Sequence, residues 1–289
     1  MADRRESHEQ PFDPPLPQPV AGFPDFGCLH LASVGNARDL GGMPAAGGRR
    51  IRKGRLLRSG DLNRLSALDE RTLADGCGLR RIVDLRTKME IQGAEDPVLR
   101  LPGVSYEYLP VLSDDEVLGT DLADLKANVR VMAEFALDAT DYMRELYAKC
   151  VMGEAGRQAY SRLLKVLLDA DEGATLWHCT QGKDRTGLAA VLVECALGVP
   201  MEVIRQDYLA TNLFMDGWLQ RLQRFLESAH VAKVLDADLE AYIYADPANL
   251  QTALDAVTAA YGSLEGYLDG ALGFGAEDRL RLQELYLEP

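Results

Sequence analysis

Apolar and polar positions change their spacing several times along the chain, and the changes mark out elements. Residues 1 to 27 mix proline, charge and glutamine with no apolar period. Such a segment buries too little surface to offset chain entropy and reads as a disordered tail. From Leu31 short β-type runs alternate with helical periodicity, the texture of an α/β chain. Residues 55–59 (RLLRS) and 79–85 (LRRIVDL) read as strands, and Asp84 and Arg86 mark the end of the second. Between them Ser66 caps a helix that stops near Gly76 or Gly78. Residues 113–150 read as a helical insertion, acidic at first and amphipathic later, either a solvated face or a partner-binding element. Residues 160–168 (YSRLLKVLL) form an amphipathic helix and 175–178 (TLWH) a strand. Residues 186–197 then place Leu188, Val191, Leu192 and Cys195 on one helical face. From Met201 onward the period is helical, with breaks near Asp246-Pro247 and between Gly270 and Gly275. Nothing splits residues 28–289, so one domain is expected.

Composition narrows the function. With 31 basic against 45 acidic residues the net charge is −14, so no general attraction to nucleic acid or to an anionic membrane surface is expected. A phosphate-bearing substrate must then be captured by local positive potential. No apolar run reaches the ~18 residues of a membrane span; the best stretch, 188–199, is interrupted by Glu194. The first residues lack the apolar segment of a secretory signal, and the five cysteines are odd in number and without zinc-like spacing. A reducing cytoplasm suits such a chain, with export by a route that uses no signal peptide left open.

One segment carries chemistry: His178-Cys179-Thr180-Gln181-Gly182-Lys183-Asp184-Arg185-Thr186-Gly187, between a strand and a helix. A strand–loop–helix junction points free backbone N–H groups into the loop, and the helix dipole adds positive potential. Gly182 lets the loop curl so that the amides of Thr180 to Arg185 face one anion. Arg185, six positions after Cys179, can close over the same cavity with a bidentate fork. A cysteine at the base of that cavity is favoured as thiolate, in line with a bound phosphoryl group. None of the other four cysteines has an arginine at that spacing.

The segment resembles the phosphate-binding loop of the cysteine-dependent protein tyrosine phosphatases, in particular the bacterial family whose loop reads His-Cys-x-x-Gly-Lys-Asp-Arg-Thr-Gly. Residues 36–42 (NARDLGG), Arg58-Ser59, 83–86 (VDLR), 207–212 and Tyr261-Gly262-Ser263 fit the same family. The resemblance implies a parallel four-stranded sheet flanked by helices, no metal or other cofactor, and a phosphocysteine intermediate. It also implies phosphotyrosine, phosphoserine or phosphothreonine, or phosphoinositide substrates. Cys179 is then the nucleophile and Arg185 the phosphate ligand. Thr186 would donate to the sulfur or cap the helix, and His178 would buttress the loop from behind. Arg38 would shape the pocket wall, and Lys183 would add charge at its rim. The general acid is either Asp184, inside the loop, or Asp84, for which an ion pair with Arg86 or Arg38 is the other reading. Residues 207–261, with Trp218, Leu219, Leu222, Phe225 and Leu226 in an apolar stripe, form either core or a lid over the site. A phosphoinositide phosphatase and a non-catalytic phosphate-binding module are the alternatives.

Overall fold

Runs of aliphatic residues too short for helices pair into the centre of the molecule. A computed structural model describes residues 14–114, 116, 139–215, 217, 220 and 243–289. Its strands are β1 (Arg38–Asp39), β2 (Arg50–Ile51), β3 (Leu56–Ser59), β4 (Leu79–Asp84), β5 (Ser105–Tyr108), β6 (Ala174–His178) and β7 (Leu287–Glu288). The main sheet has the order β1-β3-β6-β4-β5. β3, β6, β4 and β5 run parallel, and the two-residue β1 adds an antiparallel edge. β2 and β7 form a separate antiparallel pair. Neighbouring residues of one strand face opposite sides of a sheet. Accordingly Leu56, Val83 and Trp177 enter one apolar core, while Leu57, Ile82 and Leu176 enter a second on the other face.

The helices among the described residues are α1 (Ala67–Arg71), α2 (Lys88–Ile91), α3 (Ala139–Met152), α4 (Glu154–Leu168), α5 (Asp184–Ala196), α6 (Met201–Ala210), α7 (Pro247–Tyr261), α8 (Leu264–Gly270) and α9 (Ala276–Tyr286). Their ends follow sequence chemistry. The Ser66 side chain accepts from the Asp69 amide at the start of α1. Asp246 caps α7, whose first residue is Pro247, where a missing N–H costs nothing. α5 is buried almost all round, as its nearly continuous apolar run requires of a central helix.

Two expectations change. The tail does not extend to residue 27: Phe23 and Phe26 are buried in the larger core, and Pro15 accepts a hydrogen bond from Asn212. Each buried phenylalanine contributes roughly 1.5–3 kcal/mol, which the composition around it hides. Residues 139–150, the end of the expected insertion, belong to α3, which buries Met143, Tyr147 and Cys150 and packs against α7. The apolar stripe at Trp218, Leu219, Leu222, Phe225 and Leu226 lies outside the described residues.

Candidate active site

The loop 179–183 leaves the C-terminal end of β6, the central parallel strand, and enters α5. This is where an open α/β sheet gathers ligands. Gly182 has φ +68°, and a Cβ there would lie 2.5 Å from the Ser59 backbone, so only glycine fits. The Gly182 carbonyl accepts from Asn36 Nδ2 at 2.8 Å and from Arg58 Nη2 at 2.9 Å. Because the peptide is planar and trans, fixing that carbonyl turns the Lys183 N–H to the opposite side. Among the described residues, nothing accepts from the N–H groups of Gln181, Gly182, Asp184 or Arg185. These amides, at the positive end of α5, form a cradle for an anion.

Cys179 is buried at the base of the loop. Arg185 is buried as well, and its fork meets Glu90: Nη1 to Oε2 at 2.5 Å and Nη2 to Oε1 at 2.6 Å. Burial works against the guanidinium charge, but Glu90 outweighs it and holds Arg185 cationic. Glu90 also accepts from Thr180 Oγ1 at 2.6 Å and from the Thr87 amide at 2.8 Å. Sequence reasoning missed this carboxylate. Its one signal was the capping box Thr87-x-x-Glu90 at the start of α2, which shows where a helix begins and not what the glutamate reaches.

Behind the loop lies a second ionic group, fully buried. Arg38 Nη1 donates to Asp207 Oδ1 at 2.6 Å and Arg58 Nη1 to Asp207 Oδ2 at 2.5 Å. Arg38 also donates through Nε to Asn36, the residue that holds Gly182. Arg38 is therefore two contacts from the loop rather than on the pocket wall. Burial and the neighbouring Arg58 push Arg38 down to about 10, with Asp207 pulling the other way. Glu194 completes the group: burial, then the nearby Asp207 charge, raises its carboxyl far above the ordinary range.

His178 points to the other face of the sheet from Cys179. Its Nε2 lies 2.8 Å from Asp96 Oδ2, and its Nδ1 lies 3.2 Å from the Cys179 carbonyl oxygen. Burial disfavours the cation, yet Asp84 and Asp96 outweigh it, and the imidazole is pushed up to about 9. Asp84 is clamped by Arg86 through Nε at 3.0 Å and Nη2 at 2.7 Å and accepts from Tyr106 Oη at 2.7 Å. Burial raises its carboxyl, but His178 and Arg86 prevail and leave it below the usual range. The structure thus places Asp84 in the ion pair with Arg86, the second of the two readings. Asp84, Asp96 and His178 offer ligand atoms within 4.8 Å of one another. Arg86 already contacts both carboxylates as their counter-charge, a poor fit for a metal ion.

Asp184 is the first residue of α5 and stays partly exposed. Its Oδ1 accepts from Tyr147 Oη at 2.7 Å and lies 3.7 Å from Lys183 Nζ. Lys183 is itself buried, donating to the Tyr244 carbonyl at 3.5 Å, and burial lowers its ammonium. Among the described residues the buried Thr186 hydroxyl has no hydrogen-bond partner, so neither the bond to sulfur nor the cap is formed there. Asp61, also missed in the sequence, lies beside the loop, its backbone N–H donating to the Thr180 carbonyl at 3.1 Å, and burial raises its carboxyl.

A parallel sheet whose central strand delivers a cysteine and an arginine to one amide cradle defines the class of cysteine-dependent phosphatases. A family model described as "Tyrosine phosphatase family" matches residues 29–288, and the chain belongs to that family. A protein of Cupriavidus necator named "Putative tyrosine-protein phosphatase" is 33% identical over 251 residues, covering 84% of each chain. The "Triple specificity protein phosphatase PtpB" of Mycobacterium tuberculosis is 29% identical over 243 residues, covering 75% of this chain and 87% of its own. A "Tyrosine-protein phosphatase" of Nostoc commune is 29% identical over 154 residues, covering 53% of this chain and 47% of its own. The chain is thus a phosphatase of the cysteine-dependent type. Among the described residues no helix is long and apolar enough to cross a membrane.

Proposed function

We propose that residues 178–186 hydrolyse phosphomonoesters, phosphotyrosine foremost, in two displacements at phosphorus. Cys179 Sγ, as thiolate, attacks phosphorus while the P–O bond to the alcohol breaks, and Asp184 gives its proton to the departing oxygen. Water then loses a proton to Asp184 and attacks the phosphocysteine, and the P–S bond breaks to return the thiolate. The loop amides and Arg185 hold the non-bridging oxygens throughout, which is most of what phosphoryl transfer asks of a protein. The observation that carries this reading is Arg185, forked onto Glu90 beside the buried Cys179. Phosphotyrosine leads because a flat phenol suits a sulfur buried at the base of a loop.

The same reading treats residues 28–289, with Phe23 and Phe26 packed into their core, as one phosphatase domain. Five cysteines without a disulfide suit a reducing cytoplasm. Phosphate release from phosphotyrosine peptides, phosphoserine peptides and soluble short-chain phosphoinositides, run beside Cys179→Ser, is the test. Vanadate-sensitive release, greatest on phosphotyrosine and lost in Cys179→Ser, is expected. Faster release from the phosphoinositides would contradict the substrate assignment. Turnover that survives in Cys179→Ser would contradict the mechanism.

A further inference from the structure

Tyr147 and Tyr208 lie on α3 and α6, far apart in the sequence, and both are buried. Their rings meet edge to face with centroids 6.2 Å apart, and their hydroxyl oxygens are 2.8 Å apart. Tyr147 Oη also reaches Asp184 Oδ1 at 2.7 Å, and Tyr208 donates to the Asp246 carbonyl at 3.1 Å. The result is an unbroken chain from the loop carboxyl through two phenols to the cap of α7.

We propose that Tyr147 and Tyr208 are positioning residues for Asp184, fixing Oδ1 so that Oδ2 is the oxygen that exchanges a proton with the leaving group and with water. The inference rests on Asp184 being the acid. Proton counting supports it. Burial raises both phenols well above their ordinary range, so each keeps its single proton. The chain has three oxygen–oxygen contacts and two phenolic protons. When Asp184 is ionised, Tyr147 donates to it, and Tyr208 serves either Tyr147 or the Asp246 carbonyl. When Asp184 carries its proton on Oδ2, Tyr147 still donates to Oδ1, so Oδ1 stays engaged and the exchanged proton is left on Oδ2. The phenols therefore keep one arrangement through both protonation states, without moving a heavy atom.

The test compares kcat/KM for an aryl phosphate with a good leaving group and an alkyl phosphate with a poor one. Their ratio does not depend on how much of a variant is folded. Asp184→Asn is expected to lower the poor-to-good ratio by about 10²-fold, the usual weight of a general acid. Tyr147→Phe is expected to lower the same ratio by about tenfold, the weight of one hydrogen bond to a charged group. Tyr208→Phe, which leaves the Tyr147–Asp184 bond in place, should fall between Tyr147→Phe and the unaltered protein. A fall in Asp184→Asn with no change of ratio in Tyr147→Phe would overturn the positioning role, as would equal losses on both substrates. No change in Asp184→Asn would overturn the acid assignment itself. If Tyr147→Phe yields no folded protein, the ratio in Tyr208→Phe decides: a fall supports the proposal and an unchanged ratio overturns it.

Discussion

Glu90 shows how one side chain sets the behaviour of another. A buried guanidinium without a partner is costly, and a flexible one cannot hold an oxyanion in place. Glu90 answers both demands through its two bonds to Arg185, while its bonds to Thr180 and the Thr87 amide keep it still. Glu90→Gln keeps the shape but removes the charge and half of the bidentate acceptance. Misplacing a catalytic group by about an ångström costs on the order of 10²-fold, and a loss of that size in kcat/KM is expected. The urea midpoint should fall in the same variant, because breaking one side of a buried ion pair leaves a desolvated charge behind. Unchanged kinetics in Glu90→Gln would show that Arg185 needs no such anchor. Cys179, Arg185 and the loop glycine were legible in the sequence because their chemistry is local, within one turn between strand and helix. Glu90 was not: it lies 95 positions from Arg185, and only the tertiary fold brings the two together.

At the scale of elements, ionic clusters tie strands and helices to the loop. The cluster of His178, Asp84, Asp96 and Arg86 joins the end of β6 to the end of β4 and the turn beyond α2. It makes stability depend on pH. The folded His178 titrates at about 9 against an ordinary 6.5, so the native state binds the proton more tightly than the unfolded chain. The stabilisation is fully present below pH 6.5 and is lost as pH rises toward 9, with an upper bound on the order of 3 kcal/mol. Urea unfolding at several pH values checks this. The midpoint of the unaltered protein should fall relative to that of His178→Gln between pH 6.5 and 9. A constant difference would remove the charged histidine from the account. Strands and helices themselves were legible wherever one period ran long enough: β4 and β6 begin and end within a residue of the expected bounds, and α7 starts at the expected Asp246-Pro247 break. The misreadings came from composition averaged over a segment. Polar neighbours masked Phe23 and Phe26, and the acidic start of the expected insertion hid the buried face of α3.

Across the whole molecule, a net charge of −14 surrounds a site built for an anion. The two are compatible because the site's positive potential is short-ranged and fixed: amides at the start of α5, and Arg185 compensated by Glu90 at close range. The sheet places these groups together by putting β6 in its centre, with β3 supplying Arg58 and β4 leading to α2 and Glu90. Fold and site are thus one construction, with the sulfur at its focus. Mixing enzyme with an aryl phosphate, quenching in acid within one turnover and mapping the protein by mass spectrometry shows whether phosphorus passes through that sulfur. One phosphoryl group is expected on the peptide that contains Cys179, appearing and decaying at the rate of turnover. Its absence during turnover, or a phosphoryl group on any other residue, would contradict that route.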